Sequence, residues 1–280
     1  MVLSMFIRYG FDIALELYQP TTIVTAMDVH PSRRHDIIRE SELVISQPKP
    51  VQKFTDAFGN VCRRIQAGPG ELALWLEGIV RHSGQHDEVD PSAGLIPPSD
   101  LPPEVLPFLL ASRYCETDLL AGFAWANFGN IAGGWAKVQA ICDFVHSHLV
   151  FSYPNAKPTR TAFQAMEERI GVCRDFTHLA ITLCRCLNIP ARYCNGYLGD
   201  IGVPPDPAPM DFNAWFEAYL GGRWYTFDAR HNQPRIGRIL IARGRDATDV
   251  AMITSFGSHG LSRFVVTTEE VHDMAQSAAA

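Results

Sequence analysis

The twenty residues from Gly171 to Pro190, GVCRDFTHLAITLCRCLNIP, constrain this chain more than any other stretch. Phe176, Leu179, Ala180, Leu183 and Leu187 recur at helical spacing, and Asn188 with Pro190 supplies a stop. The pattern predicts a helix from about Cys173 to Leu187, with Gly171 ending whatever precedes it. Cys173 then lies in the first helical turn, where unpaired backbone N–H groups and the positive end of the dipole favour a thiolate. It precedes Phe176 by three residues and Ala180 by seven, so its sulfur faces whatever the helix packs on. A free cysteine is also a small apolar residue that suits a core. Position alone leaves both readings open.

The flanking sequence predicts an α+β protein. Segments 6–13, 22–29, 41–45, 61–65 and 71–80 are β-branched and aromatic and are separated by turn residues. Residues 1–84 are therefore expected to form an antiparallel β-sandwich. Five prolines in 85–104 mark a linker. A core over 105–270 follows, with helices expected at 104–113, 118–127, 135–149 and 159–169. The cysteine helix then packs on an antiparallel sheet, to which 236–242, 249–253 and 263–266 add strands. Residues 271–280 read as a frayed tail.

A hairpin supplies the partner for the cysteine helix. Gly221-Gly222 joins two aromatic-rich runs, 211–220 and 223–230, and suits a two-residue turn that pairs Leu220 with Arg223. One face then carries Phe212, Ala214, Phe216, Ala218 and Leu220. The other carries Asn213, Trp215, Glu217 and Tyr219 with Trp224, Thr226 and Asp228. In this register Asn213 is a diagonal neighbour of Asp228, with backbones about 7–8 Å apart. A base at 213 and an orienting carboxylate at 228 could meet there, although a strand-end cap accounts for Asp228 equally well.

Taken in order, GVCRDFTHL from Gly171, NIPARY from Asn188 and AWFEAYLGGRWYTFDAR from Ala214 resemble the bacterial transglutaminase-like superfamily. The resemblance implies a papain/transglutaminase-like core preceded by a β-rich region. It implies a cysteine nucleophile at Cys173 and a catalytic aspartate at Asp228, acting on peptide or glutamine-type amides without a cofactor. It also exposes a departure. The position before Ala214-Trp215, where the family places its histidine, holds Asn213. An amide cannot take a proton from a thiol near neutral pH.

No other histidine fills the gap by sequence. His178 lies about 140° around the helix from Cys173. His231 has the wrong strand parity for Asp228 if the strand continues that far. His259, in a glycine- and serine-rich loop, is the open candidate. Three readings follow: a cysteine acyl-transfer enzyme, a binding module that keeps the cleft but not turnover, or a variant of an active enzyme altered at 213. For a bound peptide, Trp215 and Trp224 are the aromatic candidates, with buried packing as their alternative role. Arg174 and Asp175 read as an exposed first turn.

A formal charge of −6 lacks the basic footprint of a nucleic-acid partner, and no apolar run reaches the ~18 residues of a membrane span. Seven cysteines without regular spacing suit a reducing, cytoplasmic setting. The pair His146 and His148 faces apart on a helix, and no cluster completes a metal site.

Overall fold

The computed structural model describes residues 4–47 and 50–271, so the expected tail lies outside the described residues apart from Val271. The N-terminal region supplies β1 (Met5–Leu17), β2 (Thr21–Thr25), β3 (Ile37–Glu40), β4 (Val44–Ile45), β5 (Val51–Thr55), β6 (Val61–Ala67) and β7 (Gly70–His82). The β1 residues Ile7, Tyr9, Phe11, Ile13, Leu15 and Leu17 alternate along the strand and are all buried, as expected for one face of a sheet on a core.

Four helices and two short strands follow: α1 (Thr117–Phe128), α2 (Gly134–His148), β8 (Val150–Phe151), α3 (Ala162–Glu168), β9 (Ile170–Gly171) and α4 (Cys173–Cys186). The helix expected at 104–113 reduces to a 3-10 turn, Leu106–Leu109. Pro107 falls within it, and a proline there removes a donor and clashes with the preceding turn. Helix α3 is capped by Thr161, whose side chain accepts the Gln164 N–H while the Gln164 side chain returns to the Thr161 N–H. It ends at Arg169 in the left-handed conformation, two residues before Gly171.

The second sheet has the order β12-β11-β10-β13, all antiparallel, from β10 (Ala191–Tyr197), β11 (Asn213–Leu220), β12 (Arg223–Phe227) and β13 (Ile239–Gly244). Leu220 pairs with Arg223 and Phe216 with Phe227, the register expected from the Gly-Gly turn. Phe216, Ala218 and Leu220 join Leu179, Ala180 and Leu183 of α4 in one buried cluster.

The C-terminal strands go elsewhere. β14 (Ile253–Ser255) pairs with β2, and β15 (His259–Val271) runs antiparallel to β1 over most of its length. They do not extend the hairpin's sheet, so the sandwich is built from both ends of the chain. Its two sheets have the orders β15-β1-β7-β3, with β4 on β7, and β14-β2-β6-β5. The periodicity of 263–266 identifies a strand, but strand pairing at a separation of some 250 residues leaves no local signature.

The sandwich also braces the site. Tyr9 meets the Tyr197 ring at 5.1 Å, and Tyr197 meets Phe212 at 5.1 Å, one residue before β11. The proline-rich segment 85–104 is tied to the core rather than free. Asp87 accepts from the Arg235 N–H, and the carbonyls of Ala93 and Gly94 accept from Trp135 and Gly221.

Candidate active site

Cys173 opens α4, as its spacing predicts, and the helix start is held by charge. The Asp175 carboxylate accepts the Val172 N–H at 2.9 Å and the Arg160 guanidinium at 3.0 Å, with Arg174 on its other oxygen. Asp175 and Arg160 are each only 1% exposed. The expected solvated first turn is therefore a buried ion pair at Asp175. Arg160, thirteen residues upstream of Cys173, gives no local sign of that role. Gly171 is required beside it: a Cβ there would sit 2.6 Å from the Asp175 Cβ.

The Cys173 thiol is half-buried against the start of β11. Backbone N–H groups of Ala214 and Arg174 favour negative charge on the sulfur. Burial pushes the thiol up to about 11; Arg230 pulls it down and Asp211 pushes it up. Of the two readings left open at the helix start, the raised pKa favours the buried thiol, because desolvation outweighs the N–H groups and the nearby guanidinium. Such N–H groups also suit an oxyanion formed on an attached acyl group.

Asn213 is the first residue of β11 and pairs with Gly196. Its Oδ1 accepts from Arg230 at 3.2 Å, and its amide nitrogen donates to the Asp211 carbonyl at 3.2 Å. Arg230 lies over the Phe151 ring, 3.8 Å from its centroid. Among the described residues no hydrogen bond joins Asn213 to Asp228. β12 ends at Phe227, and Asp228 opens a turn in which the Asn232 N–H returns to its carbonyl.

That turn changes which histidine Asp228 meets. Its Oδ1 accepts the N–H groups of Arg230 and His231, while Oδ2 lies 2.8 Å from His231 Nδ1 and 2.8 Å from Arg238 Nη2. Burial raises the carboxyl, but Arg238 and the His231 contacts outweigh it and hold Asp228 well below the usual carboxylate range. Strand parity places His231 on the wrong face because the strand stops at Phe227, four residues before it. A turn residue escapes the period of two.

Asn213, Arg230 and His231 line one cavity of about 80 Å³ with Tyr153, Asp211 and Arg235. Burial raises the Asp211 carboxyl, and burial with Asp211 nearby pushes Tyr153 to about 12. Cys173 lies within electrostatic reach of Asp211, Arg230 and Tyr153, which line this cavity.

Four other histidines lie elsewhere. His178 is fully buried beside Tyr114, accepts the Ala247 N–H at 3.1 Å, and is pushed down to about 3 by burial. His259 pairs with Leu17 in the sandwich and does not line the cavity. His146 and His148 contact the carbonyls of Arg230 and Met166. Among the described residues no group of three metal-ligating side chains converges.

The two tryptophans differ. Trp215 is 2% exposed and packs with Cys194 and Leu240 beneath Arg238. Buried packing, the alternative role expected for it, describes its surroundings. Trp224 is partly exposed but carries the Arg192 guanidinium 4.0 Å above its ring.

A cysteine in the first turn of a helix, set against an antiparallel sheet with position 213 opening one strand and Asp228 just past the end of the next, fits the transglutaminase-like α+β class. The comparisons agree. The family model described as the transglutaminase-like superfamily core matches residues 128–229. The crystal structure of a candidate cysteine protease from Cytophaga hutchinsonii is 31% identical, covers 96% of this chain and 92% of that one, and superposes with a TM-score of 0.84. An uncharacterized protein of Mycobacterium leprae is 34% identical over 94 residues, a stretch spanning 32% of this chain and 33% of that protein. The periplasmic domain of TgpA from Pseudomonas aeruginosa is a distant likeness, 15% identical with a TM-score of 0.42 over 80% of this chain and 90% of that one. The chain belongs to the transglutaminase-like superfamily.

Proposed function

We propose that this protein is a cysteine acyl-transfer enzyme acting on peptide or glutamine-type amides, with Cys173 as nucleophile. The observation that carries the reading is the position of Cys173 at the start of α4, packed against β11, where the backbone N–H groups of Ala214 and Arg174 favour negative charge on its sulfur. The sulfur would bond to the substrate carbonyl carbon while those N–H groups hold the oxyanion. Collapse breaks the C–N bond, the departing amine takes a proton, and a thioester remains. Water or a second amine then displaces the sulfur. The peptide-type substrate also accords with the protease description of the Cytophaga hutchinsonii protein.

Proton transfer is the weak step. Asn213 cannot supply it, and the resting thiol is protonated at neutral pH. His231, oriented through Nδ1 by Asp228 and lining the same cavity as Asn213, is the residue best arranged to accept the proton. Turnover is accordingly slow.

A second reading is a peptide-binding module without turnover. It is favoured by the Arg230 contact that holds Asn213 and by the high thiol pKa. Turnover of a glutamine- and amide-peptide panel, with and without a primary amine, separates the two. The acyl-transfer reading expects slow release of ammonia or amine that Cys173→Ala abolishes and Asn213→His raises about a hundredfold, within the range of general acid–base catalysis. Peptide binding without product in either the native protein or Asn213→His overturns it.

A further inference from the structure

Arg230 enters the candidate active site with one edge of its guanidinium unused. Its backbone N–H is tied to Asp228 in the turn after β12, and its side chain lines the cavity that also holds Asn213, Asp211 and His231. Phe151 covers one face of the guanidinium at 3.8 Å, and Nη1 donates to Asn213 Oδ1 at 3.2 Å. Among the described residues Nε and Nη2 of Arg230 make no hydrogen bond, and no carboxylate forms an ion pair with it. Arg230 is half-buried, and neither nitrogen is a sealed donor of the kind found at Arg235 and Arg238, so both are reachable from solvent.

Nε and Nη2 form the side of a guanidinium that grips a carboxylate through two parallel bonds. The protein uses that side elsewhere: Arg63 holds Asp28 through it at 2.7 and 2.6 Å, and Arg245 holds Asp249 at 2.9 and 3.0 Å. At Arg230 the nearby acids do not fill it. Asp200 accepts the Asp206 N–H, Asp206 the Ala208 N–H, and Asp211 the Phe212 N–H, with Asp211 Oδ2 3.5 Å from the Tyr153 hydroxyl. Arg235 is bonded to the Gly199 carbonyl and lies 3.8 Å from Asp200, so it does not compete for the same ligand. Asp206 is exposed, and salt screens its field. Asp211 is within electrostatic reach of Arg230 and opposes an incoming anion, but a two-bond contact at the fork itself is closer and charge-assisted.

We propose that the Nε/Nη2 edge of Arg230 recognises a carboxylate of the substrate, either an acidic side chain or a free α-carboxylate, next to the reacting amide. Arg230 lies within electrostatic reach of the Cys173 thiol, which sets that carboxylate beside the bond attacked. This placement rests on the acyl-transfer reading, whereas carboxylate binding at Arg230 does not. Peptides with an acid flanking the amide are then preferred over neutral ones of the same shape.

The test uses matched peptides that differ only beside the amide: Asp or Glu against Asn or Gln, and a free C-terminus against a C-terminal amide. Calorimetry measures their binding to Cys173→Ala, and release of ammonia or amine is followed with the native protein. In at least one pair the acid should bind at least tenfold more tightly and show a kcat/KM larger by a similar factor; which pair does so tells side chain from terminus. Arg230→Gln, made in the Cys173→Ala background, should erase the difference and leave the affinity of the neutral peptides largely unchanged. Should that variant fail to fold, Arg230→Lys, which keeps the charge but not the fork, should show a reduced preference. Equal affinity within both pairs overturns the proposal. So does an undiminished preference in a folded Arg230 variant, or absence of saturable binding by every peptide. A carboxylate preference without product would uphold this site and sink the acyl-transfer reading alone, and product without the preference would do the reverse.

Discussion

His231 Nδ1 lies 2.8 Å from Asp228 Oδ2, and Arg238 Nη2 reaches the same oxygen at 2.8 Å. The carboxylate expected to serve position 213 therefore holds a histidine three residues along its own turn. A carboxylate on Nδ1 fixes the imidazole tautomer and leaves Nε2 free to accept a proton.

His231→Gln should then remove most of the residual turnover of the native protein while leaving peptide affinity intact. In the Asn213→His background the same change should cost little, because a second base would be present. Steady-state kinetics of the four combinations provide the check. A native protein indifferent to His231→Gln would show that the proton goes elsewhere.

Cys173 alkylation reports the thiol directly. With the pKa pushed up to about 11, the thiolate fraction should rise about tenfold per pH unit from neutrality to about pH 11. At pH 7 iodoacetamide should react about a hundredfold more slowly than with an ordinary cysteine of pKa near 9. Asn213→His should shift the profile downward, since an imidazolium would stabilise the thiolate. The sign for stability follows. A raised native pKa favours the protonated fold, so this contribution is complete below pH 9 and is lost as pH rises from about 9 to about 11.

The Arg160–Asp175 pair should be structurally costly to break. Asp175→Asn leaves the Arg160 guanidinium buried with one fewer anion and should destabilise by about 3–5 kcal/mol, the range for removing one partner of a buried pair. Gly171→Ala should strain the same corner, because its Cβ would meet the Asp175 side chain. Chemical denaturation measures both, and a loss below about 1 kcal/mol for Asp175→Asn would contradict the assignment.

Trp215→Ala should destabilise by about 3–5 kcal/mol as a large core truncation. Trp224→Ala should cost less, since that ring is partly exposed. Peptide affinity in a folded Trp215 variant should be unchanged. A selective loss of affinity with full stability would restore Trp215 to the binding surface.

The local grammar of this chain was legible to the extent that local physics determines it. Helix α4, the Gly-Gly hairpin and its register follow from periodicity and turn chemistry. Position 213 stood out because one amide replaced an expected imidazole. What was missed depends on where strands stop and which distant groups meet. β12 ends at Phe227, which releases His231 from strand parity and carries it to Asp228. β15 returns to β1, a partner no neighbouring residue specifies. Asp175 looked solvated because its counterion, Arg160, comes from the segment before α3. For the Cys173 thiol the sequence offers both a reactive and a buried reading and cannot choose, since the desolvation that raises it comes from the whole surrounding core.

The most direct test of Cys173 as an acyl-transfer nucleophile is intact-mass analysis after brief exposure to an activated acyl ester or a glutamine peptide. The expected result is a single acyl adduct that maps to Cys173, is absent in Cys173→Ala, and clears faster in Asn213→His. No adduct in either the native protein or Asn213→His, with the fold intact, would contradict it.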